Sequence, residues 1–583
     1  MTTDTTTADA PADGVATRRE EARTRLLDQL LGRDGQAALN PDGLRVADPT
    51  FTGHGCPLRL DVGDGTRPTG QHTPVAFRDT VVETGTYTWL FPALNGYVPA
   101  DDLIEELGAP GGPMDLNPPL PFDRRQCAEL GEKIDDKYLA KPSAPSTEPA
   151  KAGIPAGYTY LGQFLDHNIT FQADATFDSN TIGNTTNFRS ARVDLSHVYG
   201  LGPKTQSFAF YDNLDVGKFW IDPNRDYDVP RNPQGVPVIA DPRNDNTIIS
   251  IQIHHAFMLF HNAVVDMLKG SVPDVALFDT AKQQVVWHYQ WMILNDWLPR
   301  IVKDSVYAKV KAAAEDKDAP FLVFNPSPDK PVALPLEFTA AAYRLHSLPV
   351  EEYRLNGTTT GHLFNFRRPF SPLRTEQVID WRQFFVIPKA SQQPQYAKRF
   401  DRKIIHAFLQ MPPPVDSPLT WLEDSTEKEE LPDGNPYKGQ SYSPLLSIAI
   451  RNLRRANSFV RKDGTKGLPS GEDLAREVYA KYNPGHDPYT PKDFGLKDFD
   501  HVPPWYYVLG EGALEEKSDV GSLKLGTLGS ALVGEVIAAL VKTDPGSYLS
   551  HNSKYPANPW KPTFGEVPGT FYMSDLVRIA GLV

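Results

Sequence analysis

The stretch GQFLDHNITF, residues 162–171, sets Gln163 and His167 four apart, so that on a helix they share a face, with Asp166 one position around from the histidine. A buried Asp-His pair is costly unless something uses it. A metal ligand, a general base and a core histidine with a satisfied ring all fit this segment. DPRNDNT, residues 241–247, places Arg243 in a polar turn directly before a long apolar run. An arginine there usually serves as a surface or capping cation. EFTAAAYRLHSLP, residues 337–349, reads as a helix with Tyr343 and His346 three apart on one face, ended by a proline. Tyr and His at that spacing are more often packing than catalysis. Asn452, in IRNLRRAN, lies on an apolar helix where its amide needs a partner.

The elements that must carry these residues are helices. Apolar residues recur at helical spacing over residues 248–270, 281–302, 335–347, 444–457 and 528–542. Alternating strands are scarce and short, and no fixed-period repeat is evident. The expected fold class is therefore mainly α, a large single catalytic domain with long loops and few short strands. Residues 1–15 read as a disordered tail, 16–150 as an N-terminal helix starting near Thr17 followed by wrapping segments, and 151–583 as the catalytic domain. The Pro-rich stretches 108–122 and 141–157 read as surface connections.

Bulk properties narrow the function. Across 583 residues, 59 Lys and Arg stand against 73 Asp and Glu, a net charge of −14, which argues against a nucleic-acid binder. The two cysteines, Cys56 and Cys127, form no CxxC and cannot supply a four-thiolate metal site or a disulfide framework. The N-terminus shows no basic segment followed by an apolar one, and no uninterrupted run of 18 apolar residues occurs. No membrane span is expected, and the expected location is cytoplasmic, or exported without a recognisable signal peptide.

Taken in order, the local wording YLGQFLDHN, VDLSHVYG, DPRNDN with the histidine of FHN eighteen residues after its arginine, EFTAAAYRLHS, AIRNL with GLPSGEDLARE, and PPWYYVLGE resembles the animal-type haem peroxidases of the peroxidase–cyclooxygenase superfamily, their bacterial branch most closely. The resemblance spans about residues 155–575. It implies a haem b cofactor, with His167 as the distal base, Arg243 as the distal cation and Gln163 orienting water or substrate. His346 is then the proximal iron ligand, and Asn452 the amide on that ligand's other ring nitrogen. The resemblance further implies one haem ester through Asp166. A Ca²⁺ site would be formed by Asn168, Ser190, the Arg192 carbonyl, Asp194 and Ser196. Asn168 stands where an aspartate is usual, so weaker calcium binding, or none, is expected.

Asn246 replaces the family's second ester-forming glutamate, and Thr247 replaces a methionine, which excludes a sulfonium link. YRLHSLP lacks the glycine usual before the proximal histidine and is similar to the proximal segment of fatty-acid dioxygenases, in which a tyrosine at the Tyr343 position forms a radical. Two enzyme readings follow. The first is a peroxidase that reduces H2O2 and oxidises small phenolic, aromatic or halide donors. The second is a fatty-acid dioxygenase working through a Tyr343 radical. A third reading, an adhesion or signalling module without turnover, is disfavoured by the retention of His167, Arg243 and His346.

Overall fold

The computed structural model describes residues 12–31, 85–116, 136–144, 146, 148–172, 180–181, 185–206, 211–327, 330–364, 366–367, 370–409 and 447–583. Both cysteines lie outside these residues, as do residues 1–11 of the expected tail, residues 117–122, 145 and 147 of the Pro-rich stretches, and residues 444–446 of an expected helix.

The long apolar runs fold as helices because they are apolar nearly all round and can satisfy their backbone only internally. Helix α4, Ile248–Leu268, begins where the Thr247 hydroxyl accepts the Ser250 N–H, and all but three of its residues are buried. By length and composition it could cross a membrane, yet it sits inside the fold as a core helix. Helix α10, Thr527–Lys542, is buried from Thr527 to Val541, and the Glu511 carboxylate accepts the N–H groups of Leu528 and Gly529 at its start. Each Leu, Ile or Val so buried is worth about 1.5–3 kcal/mol.

In chain order the other helices used below are α1 (Ala12–Leu31), α2 (Asp101–Gly108), α3 (Gly157–Ile169), α5 (Asp274–Met292), α6 (Asp304–Glu315), α7 (Ile448–Asn457), α8 (Gly471–Tyr482), α9 (Pro504–Glu516) and α11 (Met573–Ile579). Helix α5 runs on through a π-helical segment, Ile293–Trp297, so the element expected at 281–302 starts earlier and contains a widened turn. Strands are short and paired in twos. β1 (Thr86–Thr88) runs parallel to β3 (Ala333–Pro335), β2 (Asn180–Thr181) parallel to β6 (Phe459–Val460), and β4 (Glu352–Arg354) antiparallel to β5 (Thr360–His362).

Helix α1 starts at Ala12, inside the stretch expected to be disordered. It docks on α4 and α11 through guanidinium-to-carbonyl bonds, Arg19 Nε to Ile579 at 2.9 Å and Arg23 Nε to Met267 at 3.1 Å. Helix α3 packs on α4, while α7, α9 and α10 surround a second π segment, Phe338–Ala342.

That π segment corrects the expected helix over 335–347. Its closing bond, Tyr343 N–H to the Phe338 carbonyl at 2.8 Å, spans five residues, and the helix stops there. The His346 N–H then turns back to the Arg344 carbonyl at 2.8 Å, with Pro349 just beyond. Tyr343 and His346 therefore do not share a helical face: the tyrosine ends the helix and the histidine sits in the turn after it.

Candidate active site

Helix α3 carries the distal candidates. Its first turn lies so close to Phe385 that a Cβ on Gly157 would come 2.3 Å from that ring, and the Gly157 N–H bonds to the Phe384 carbonyl at 3.0 Å. Most of α3 is buried, but Thr159, Gln163, Asp166 and Thr170 form a partly exposed stripe at helical spacing. The helix ends at Thr170, whose hydroxyl donates to the Asp166 side chain at 2.9 Å, and the buried Asn187 donates to the Ile169 carbonyl at 2.9 Å.

His167 is buried, and its Nδ1 meets Asn244 Oδ1 at 2.8 Å. Burial, then the nearby Arg243 cation, hold its pKa below the ordinary value, so the imidazole is neutral at pH 7. With Nδ1–H donating to Asn244, the nitrogen left to take a proton is Nε2. The other side of the Asn244 amide, Nδ2, meets His254 Nδ1 at 2.9 Å. His254 is also buried, its pKa lowered to about 3 by desolvation, and it serves as a neutral acceptor. Asp166, one position around the helix from His167, bonds through its side chain to Thr170.

Arg243 comes to His167 in a different way from that expected. Its Nη2 donates to the His167 backbone carbonyl at 2.9 Å, and its guanidinium lies over the Phe171 ring at 4.4 Å. Asp241 holds it from the other side, at 2.8 Å to Nη2 and 3.1 Å to Nε, and also pairs with Arg189. Burial raises the Asp241 carboxyl, but the two guanidiniums outweigh it and keep the group well below the usual carboxylate range. The arginine therefore braces the end of α3 and adds a fixed positive potential beside the ring. Gln163 is oriented by a hydroxyl pair: Thr247 donates to Ser250 at 2.8 Å, and Ser250 donates to Gln163 Oε1 at 3.0 Å, which leaves the amide NH2 free to donate elsewhere.

The proximal candidates are joined to α3 through Tyr343. Tyr343 is buried, stacked on Phe338 with centroids 5.0 Å apart, edge-on to Trp297 at 5.9 Å, and its hydroxyl donates to the Gly162 carbonyl at 2.9 Å. That bond ties the turn bearing His346 to α3. Burial raises the phenol well above its ordinary pKa, so it is neutral. The His346 ring is held edge-on by Phe408 and Trp505 at 5.6 and 5.7 Å, and Trp505 donates to the Arg344 carbonyl at 2.8 Å. Its Nε2 meets the Asn452 amide nitrogen at 3.4 Å, while Nδ1 is buried with no hydrogen-bond partner among the described residues. Desolvation and the Arg344 cation lower its pKa to about 4. Asp166 is the common neighbour, its charge acting on His167, His346, Tyr343 and Arg455.

Several residues of this site carried no signal in the sequence reading. Asn244, Asp241 and Ser250 act only through partners brought in by the packing of α3 on α4, although an Asp-Pro pair capping a short turn was readable at Asp241. Arg344 and Arg455 form no ion pair among the described residues. Among the described residues the Arg455 side chain bonds to the neutral Gln172 side chain and its Nε is buried without a partner, and burial followed by Arg344 lowers its pKa to about 10. The calcium candidates do come together: Asn168 Nδ2 donates to Asp194 Oδ1 at 2.9 Å and approaches Ser196 Oγ at 3.4 Å, and Ser190 donates to Asp194 at 3.1 Å.

A histidine-ligated iron porphyrin takes a neutral imidazole nitrogen and cations for its two carboxylates, and peroxide cleavage on it uses a proton acceptor. The His346 Nδ1, the Arg344 and Arg455 cations without an ion pair among the described residues, and the neutral His167 fit that group.

Residues 154–380 match the family described as animal haem peroxidase. Every expected site residue except Asn452 falls within that span. No curated protein sequence matches the chain. Among solved structures, the chain is similar to the fatty acid alpha-dioxygenase of Oryza sativa, with 14% identity and a TM-score of 0.47, covering 84% of this chain and 80% of that one. Peroxidase A from Dictyostelium discoideum is similar with 12% identity and a TM-score of 0.44, covering 83% and 99%. The fatty acid alpha-dioxygenase of Arabidopsis thaliana is similar with 12% identity and a TM-score of 0.45, covering 87% and 83%.

Proposed function

We propose that the chain, whose residues 154–380 match the animal haem peroxidase family, is a haem-dependent peroxidase, reducing H2O2 and oxidising small phenolic, aromatic or halide donors. The observation that carries this reading is the buried, neutral His167 held by Asn244, which shares the Asp166 charge with a second neutral imidazole whose Nδ1 has no hydrogen-bond partner among the described residues. Bound haem would supply a redox-active iron, able to pass electrons between a donor and peroxide.

His346 would hold the iron through Nδ1. The Asn452 amide meets Nε2 through its nitrogen; turned over, so that its oxygen faces Nε2, it would accept the ring proton and leave Nδ1 its lone pair. Arg344 and Arg455 would take the haem carboxylates, and Asp166 would form the single ester. His167 accepts the peroxide proton at Nε2 and returns it to the departing oxygen. Its neutrality at pH 7 is what makes it a base there. Gln163, fixed by Ser250, would donate its amide hydrogens to bound water or peroxide.

The second reading, a fatty-acid dioxygenase, is favoured by one observation. Tyr343 is a buried neutral phenol locked between Phe338 and Trp297, beside the turn that carries His346. A phenol there could give up its electron and proton to a haem that peroxide has oxidised, and the resulting phenoxyl radical could take a hydrogen atom from an acyl chain. The purified, haem-loaded protein and Tyr343→Phe are assayed for phenol oxidation by H2O2 and for O2 uptake with an unsaturated fatty acid. We expect phenol oxidation in both proteins and no lipid-dependent O2 uptake. Rapid uptake that the variant abolishes replaces the first reading with the second.

A further inference from the structure

The loop 190–196 meets α3 through Asn168, the residue next to His167. The resemblance implies a calcium ion at this junction, and the donor set does not fit one. The Leu195 N–H donates to Asn168 Oδ1 at 3.1 Å. That bond decides which way the amide faces, because only its oxygen can accept from an N–H. The NH2 is therefore turned into the loop, donating to Asp194 Oδ1 at 2.9 Å and reaching Ser196 Oγ at 3.4 Å. Asp194 is spoken for on both oxygens: Oδ1 also accepts the Ser196 N–H at 2.8 Å, and Oδ2 accepts the Ser190 hydroxyl at 3.1 Å.

A Ca²⁺ ion requires six to eight oxygens turned toward it with lone pairs free, and its affinity rises with the number of carboxylates. Here one carboxylate serves, both of its oxygens already accept from protein donors, and the group at the centre is itself a donor. Asn168 is fully buried, and the chain bends around it with left-handed backbone at Ala191 (φ 51°) and Leu195 (φ 57°). Ala191, Val193 and Leu195 point into the core while Ser190, Arg192, Asp194 and Ser196 stay partly exposed. The loop thus holds its shape with the amide's two hydrogens in the role a cation would otherwise fill.

We propose that Asn168 replaces the metal, so that this chain clamps the end of the His167 helix to the 190–196 loop by hydrogen bonds alone and its stability is independent of calcium. The reading does not rest on the proposed activity. Aspartate at 168 would place two carboxylates face to face, and only a cation could then hold them together.

The test is thermal unfolding of the full-length, haem-loaded protein in excess EDTA and in millimolar CaCl2 or MgCl2, with isothermal titration of Ca²⁺ alongside. The wild-type midpoint is expected to be the same in all three solutions, with no titratable calcium heat. Asn168→Asp is expected to melt a few degrees lower in EDTA and to recover with CaCl2 but not MgCl2. Asn168→Ala is expected to melt lower in every solution without recovery. A wild-type midpoint that falls in EDTA and returns with calcium overturns the proposal, and so does an Asn168→Asp protein that matches the wild type in EDTA. Should that variant not fold, the wild-type comparison still decides.

Discussion

Replacing Asn244 with alanine tests the distal site at the point where its parts depend on one another. The Asn244 amide joins two buried imidazoles, at 2.8 Å to His167 and 2.9 Å to His254. Alanine removes both hydrogen bonds and leaves two ring nitrogens buried without partners, at roughly 1–3 kcal/mol each. Water entering the vacated space offsets part of that, so a loss of about 2–4 kcal/mol of stability is expected, read by urea unfolding. The functional effect is separate. An imidazole that loses the partner fixing its tautomer and orientation typically costs its site about 10–100-fold, or about 1.4–2.7 kcal/mol of activation energy. The assay is kcat/KM for H2O2 per bound haem, across pH. Because the Asn244 bond raises the His167 pKa, Asn244→Ala should shift the acidic limb of the profile downward. Asn244→Asp, which keeps an acceptor at Nδ1 but adds a negative charge, should restore much of the rate and move the limb upward. Should Asn244→Ala lose stability yet keep the wild-type rate and acidic limb, Asn244 serves only packing and His167 is not the base.

His346→Ala should lose haem, read as loss of the haem absorbance band after gel filtration; a variant that keeps it with full peroxide turnover removes the proximal assignment. Tyr343→Phe leaves the Gly162 carbonyl without its donor, a cost of about 1 kcal/mol, so a cooperative unfolding curve only slightly destabilised is expected. Acid should destabilise the fold through four buried histidines. Burial lowers His254 and His288 to about 3 and His255 and His261 to about 4, whereas unfolded histidines titrate near 6.5. Below 6.5 the unfolded chain binds more protons, so stability present at neutral pH is lost as pH falls toward 4, by up to about 1.4 kcal/mol per pH unit for each residue. Glu511, raised by burial to about 8, works in the opposite direction, as do the raised carboxyls of Glu337, Glu351, Glu535, Asp544 and Asp575, but His167, His197, His346 and His362 are lowered along with the four. Urea unfolding that shows unchanged or rising stability from about pH 7 to about pH 5 contradicts this.

What was legible in the chain was what depends on near neighbours. Helices α4 and α10 follow from apolar residues at helical spacing, and α3 carries Gln163 and His167 four apart on one helix as their spacing implies. The residue types for a distal base, a distal cation and a proximal imidazole were present in order, within recognisable wording. The local rule failed where packing competes with it. The helix expected through His346 breaks off at Tyr343, because a π turn among α7, α9 and α10 closes on Phe338 and Pro349 bars a restart.

Partnerships were decided by the tertiary structure alone. Asn244 reaches His167 across 77 residues of chain, Tyr343 reaches Gly162 across 181, and Asn452 reaches His346 across 106. Arg243 was marked as a cation by type, but whether it faced the imidazole ring or the backbone behind it depended on where Asp241 and Phe171 came to rest. A residue's type states what it can donate, accept or bury. Which group receives it is settled when helices distant in sequence pack and each buried polar atom must take a partner from those that packing brings within reach.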